Sequence, residues 1–249
     1  MDSTKNAKKE QNAMNGHSFE LYVKLTPGRN ESIFSGIRFV DFIKCTPLTI
    51  SNILLPKPVY LGEKYCHNFE LFEGADEIAF LASQNIYNYG DFCFVDYANA
   101  DSVRSLSKEQ VAELLYLMHI KEPLQFPFFD VLQNNYAYLS HDDGWYCKLY
   151  CKDWQAPISI FLNKLLKSVQ ELFDDSISSL PDSLAEKIVE LSTLGLFVKL
   201  EISRQKNKVT HKGKTATIKL YEVGEHDDID NLFNNIKSII SKVSFELQL

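Results

Sequence analysis

Seven basic residues, Lys199, Arg204, Lys206, Lys208, Lys212, Lys214 and Lys219, lie between positions 199 and 219 against a single acid, Glu201. That segment carries +6 in a chain of net charge −7, so the remainder carries −13. A local inversion of this kind attracts anions: a nucleic-acid backbone, an acidic protein or a phosphorylated ligand. Arg204, Lys206, Lys208, Lys212 and Lys214 share one expected loop with Thr210 and His211, which could lie along phosphates as a wing does. The helix expected before it holds Asp182, Glu186 and Glu190 against Lys187, so that helix is a poor major-groove reader. Glu222, Glu225, Asp227, Asp228 and Asp230 follow the loop and could neutralise it within the chain. A Lys-rich hairpin tip also guards against edge-to-edge aggregation.

A second concentration is aromatic. Phe126, Phe128, Phe129, Tyr136, Tyr138, Trp145, Tyr146, Tyr150 and Trp154 include both tryptophans of the chain. Asp143-Gly144 is a favoured two-residue turn, because both central positions need positive φ. Folding there pairs Ser140 with Cys147, Tyr138 with Leu149 and Tyr136 with Cys151. One face is then mostly apolar, with Tyr138 and Trp145 expected in the core. The other shows His141, Tyr146, Lys148, Tyr150 and Lys152, a pattern suited to stacking or to a protein contact, and for Tyr146 and Tyr150 equally to a core of large side chains.

His141-Asp142-Asp143 could bind a divalent metal or supply acid–base groups for a metal-dependent hydrolase. The competing reading is a polar turn whose Asp-Gly serves backbone geometry. The six His (17, 67, 119, 141, 211, 226) form no His-x-x-x-His or His-Glu-x-x-His pair. Cys147 and Cys151 fall on one strand face about 13 Å apart, too far for one metal, and read as buried thiols. Cys66-His67 lacks a second ligand pair nearby. Phosphate-loop, dinucleotide, nucleophile-elbow and kinase signatures do not occur, so no cofactor is expected.

Around these residues the elements read as follows. Residues 1–16 are polar and expected to be a disordered tail. Phe19 to Leu25 alternates as a strand; Ile33 to Cys45 is read as a second extended segment with Ile37, Phe39 and Phe42 inward. Residues 46–68, with Pro47, Pro56 and Pro58, are expected to be irregular or edge-like. A short helix is expected over Ala75–Ala82 and a strand over Asp91–Tyr97. Ser107-Lys-Glu-Gln110 fits a capping box opening a helix that carries Val111, Leu114, Leu115 and Met118. Pro123 and Pro127 stop it, and Phe128–Leu132 is read as a short helix. Trp154–Phe173 has strong helical spacing, and Asp182–Leu194 is a helix closed by Gly195. Leu196–Ser203 and Thr215–Val223 alternate as strands around the basic loop, and Asp227–Val243 is read as a closing helix.

Hairpins rather than strand–helix–strand units dominate, so the expected class is α+β: antiparallel hairpins packed with amphipathic helices. The expected organisation is a tail (1–16), an α+β domain (17–173) and a C-terminal helix–hairpin–helix unit (174–249), which could equally be one continuous domain. Five cysteines without regular spacing, and no secretory leader pattern, point to a reduced cytoplasmic setting. No stretch reaches the roughly 18–20 apolar residues of a membrane span. Lys outnumbers Arg 22 to 4, a bias associated with AT-rich bacterial or phage genomes. These features favour a non-enzymatic interaction, regulatory or immunity-type protein whose partner is another protein or a second copy. A nucleic-acid-associated protein using 204–214 and a hydrolase at His141, Asp142 and Asp143 are the alternatives.

Overall fold

A computed structural model of the protein describes residues 18–56, 65–84, 92–141, 144–173, 177–204, 214–223 and 243–248. The expected tail, the interior of the basic loop, Asp142 and Asp143, and residues 227–242 of the expected closing helix lie outside them. The chain divides into two compact units, Val23–Leu165 on one side and Met1–Tyr22 with Leu166–Leu249 on the other. Strand β1 (Ser18–Thr26) belongs to both. The class is α+β, and the strand pairings with a defined register are antiparallel.

In the unit Val23–Leu165, β1 is followed by β2 (Glu31–Ser35), β3 (Asn52–Pro56), β4 (Tyr65–Cys66), β5 (Phe69–Glu73), β6 (Cys93–Asp96), β7 (Tyr136–His141) and β8 (Tyr146–Cys151), in the spatial order β1-β2-β8-β7-β6-β3-β5-β4. The helices are α1 (Phe39–Cys45), α2 (Ala75–Ser83), α3 (Ala100–Arg104), α4 (Lys108–Ile120) and α5 (Ala156–Phe173), the last continuing into the other unit. The hairpin β7–β8 has the register its turn demands: Tyr136 faces Cys151, Tyr138 faces Leu149 and Ser140 faces Cys147. Gly144 has φ +81°, the conformation the turn required of it.

Three expectations are corrected. Phe39–Cys45 is a helix and not a strand. Over seven residues, Phe39 and Phe42 fit an i, i+3 stripe, and the deciding partners come from α5. Lys164 Nζ pairs with Asp41 at 2.7 Å, and Asn163 Nδ2 donates to the terminal Cys45 carbonyl at 2.9 Å. Second, β3 is an interior strand between β5 and β6 rather than an edge. Its prolines bracket the apolar run, Pro56 being the last strand residue. Third, Phe128–Leu132 is no helix. It is a tight turn in which Phe129 O accepts from Leu132 N and Gln133 N, and Gln133 has φ +53°.

Both faces of this sheet are covered. On one side Phe39 stacks on Phe94 at 4.4 Å between ring centroids, with Phe42, Tyr136 and Tyr138 around them. On the other, Cys93, Val95, Ala137, Leu139 and Tyr150 pack with Leu114, Leu117 and Met118 of α4. Ser107 opens α4 with the expected capping box. Its Oγ accepts from Gln110 N at 3.2 Å, and its own N–H donates to Gln110 Oε1 at 2.9 Å. Ser107→Ala is expected to lower stability by about 1 kcal/mol, readable as a lower urea midpoint with an unchanged slope.

The other unit contains α6 (Asp182–Ser192), β9 (Leu196–Arg204), β10 (Lys214–Glu222) and β11 (Val243–Gln248), in the order β11-β10-β9-β1. Leu184, Ile188 and Leu191 bury the inner face of α6, and Leu196, Val198, Leu200, Ala216, Ile218 and Leu220 form the buried row of the hairpin. Gly195 (φ +85°) turns the chain from α6 into β9. Beyond the hairpin the described chain ends in a strand, β11, which had no counterpart in the expected helix–hairpin–helix unit.

Candidate functional site

The aromatic hairpin of the unit Val23–Leu165 holds the described candidate residues with the clearest geometry. Its expected polar face is the one that α4 and the segment after it cover. Tyr150 is only 2% exposed. Its phenol donates to Glu31 Oε2 at 3.1 Å, and burial, then the Glu31 and Glu122 carboxylates, drive its pKa upward. Of the two readings open for this ring, platform and core, its burial fits the core. Tyr146 is half-buried and stacks on His141 at 4.7 Å and 11°. Lys148 is largely covered and ion-paired with Glu122. Lys152 is exposed and stands over the Phe128 ring, 5.8 Å from its centroid. Trp145, expected in the core, is 61% exposed. It sits at the turn, where strand alternation no longer dictates burial.

These contacts hold a strap, Glu122 to Phe128, along β8. Lys148 ties down its start and Lys152 its end, about 13 Å apart at strand rise. Helix α4 stops at Lys121 in the left-handed region (φ +63°), whose N–H still donates to Leu117 O at 2.7 Å. At the far end, buried Asn134 bridges the chain. Its Nδ2 donates to Pro127 O at 3.0 Å and its Oδ1 accepts from Phe129 N at 2.7 Å. Between these anchors Leu124 is 60% and Phe126 56% exposed, beside exposed Ile120. The Phe126 ring leans on Phe128 at 5.5 Å. Sequence reasoning noted Phe126 but missed Leu124 and Ile120. The available signal was two apolar residues alternating between Pro123 and Pro127, too short a run to bury itself.

Asp96 holds the chain where it enters β7. Its carboxylate accepts from Asn135 N (2.9 and 3.0 Å), Tyr136 N (2.8 Å) and Asn135 Nδ2 (3.3 Å). Burial nevertheless outweighs those donors and pushes its pKa up to about 6.

The remaining candidates are placed as follows. Arg204 and Lys214 pair at the loop end of the β9–β10 hairpin, while Lys206, Lys208 and Lys212 lie outside the described residues. Lys199 and Lys219 face one another in register and share Glu201, at 3.2 and 3.0 Å. Those hydrogen bonds, Lys219's first, hold the Glu201 carboxyl below its usual pKa. Two of the seven cations therefore have an internal counter-ion. His141 stands without a described Asp142 or Asp143. Among the described residues no group of three His, Cys, Asp or Glu could hold a metal ion. Cys93, Cys147 and Cys151 are buried, and burial pushes the Cys147 thiol up to about 12 and that of Cys151 upward as well. Such thiols are poor nucleophiles. Near Trp154, which is also exposed, Leu25, Pro27, Asn30, Glu31 and Pro157 line a shallow dent of about 10 Å³, room for a single water. No described helix is long and apolar enough to cross a membrane.

No protein-family model matches this chain, no curated protein matches it, and no solved structure matches it.

Proposed function

We propose that this protein works by binding another macromolecule in the cytoplasm, as a regulatory or immunity-type factor of a bacterium or phage, and that the strap Glu122–Phe128 is its contact surface. The carrying observation is the exposure of Leu124 and Phe126 on backbone anchored at both ends. Exposed apolar side chains held rigidly lose little entropy on binding, which is how a few residues come to dominate an interface. The partner surface is apolar at its centre, and exposed Lys152 at the end of the strap suits an acidic rim.

The test is affinity isolation of the tagged protein from its native lysate beside Leu124→Ser/Phe126→Ser, each with and without nuclease. A stoichiometric, nuclease-resistant protein retained by the wild type and reduced tenfold or more by the double variant is expected. Equal recovery with both proteins overturns the strap as the contact. Because both side chains are mostly exposed, the double variant should keep its stability within about 1 kcal/mol.

The register of Arg204 against Lys214 supports a second reading, an anion-binding hairpin for nucleic acid. That reading predicts binding to a labelled duplex that weakens steeply with salt and is lost when Lys206, Lys208, Lys212 and Lys214 become Glu. Binding that survives those changes removes it.

A further inference from the structure

We draw no further inference here: the strongest candidate, the outer edge of strand β11 (Val243–Gln248), carries nothing, because nothing among the described residues shows what covers it.

Discussion

Phe39→Ala is expected to lower the stability of the unit Val23–Leu165 by about 4 kcal/mol, measured by chemical denaturation against the wild type. The side chain is 1% exposed. It lies parallel to Phe94 at 4.4 Å and 9°, and 5.6 Å from Tyr138. Removing it takes one ring from the stack and leaves a cavity that its neighbours cannot fill, because Phe94 and Tyr138 sit on paired strands. It also strips helix α1 of its first anchor, leaving Phe42 and the Lys164–Asp41 pair to hold the helix. A loss below about 1 kcal/mol would mean that α1 does not pack as described. Phe126→Ala is the natural comparison, since that ring is mostly in water and its removal should cost little.

The second large effect concerns pH. Asp96 has its pKa raised from the ordinary 3.8 to about 6 by burial, so the folded state holds a proton that the unfolded state has already released. Folded protein binding more protons means that stability falls as pH rises through that window. The contribution is fully present below 3.8, declines up to about 6 and is absent above it. A shift of this size corresponds to on the order of 3 kcal/mol. The nearest titratable groups do not confuse the reading: burial and the Asp96 charge keep Tyr136 and Cys151 protonated far above this range. Asp96→Asn carries no such proton. The stability of the wild type minus that of Asp96→Asn should therefore drop across the window and then level off. Parallel pH profiles for the two proteins would falsify the assignment. Asp96→Ala should be worse than Asn at every pH, because it leaves Asn135 N and Tyr136 N without their acceptor.

If the strap is the contact surface, Asn134 is its foundation rather than part of it, since its side-chain amide holds Pro127 O and Phe129 N. Loosening it should reduce partner binding without removing an exposed side chain, a separation that Leu124→Ser/Phe126→Ser cannot provide.

Local signals determined much of this protein. The Asp143-Gly144 dipeptide pointed to the β7–β8 register, because a two-residue turn there leaves one pairing open to the flanking strands, and Tyr136 to Cys151 pair in that register. Ser107 and Gln110 marked the start of α4 because the free N–H groups of a first turn need those acceptors. The spacing in α5 and α6 and the alternation in β9 and β10 were equally plain, and with them the α+β class. What needed the tertiary structure was which faces meet water. Alternation identifies the inner face only when the other face is solvated, and here α4 and the strap cover the second face and bury Tyr150. The state of Phe39–Cys45 was likewise undetermined locally, since seven residues satisfy either period. Lys164 and Asn163, more than a hundred residues away, decided it. The exposure of Trp145, Leu124 and Phe126 is of the same kind: apolar residues are not obliged to be buried, and only the packed neighbours show which of them were left in water.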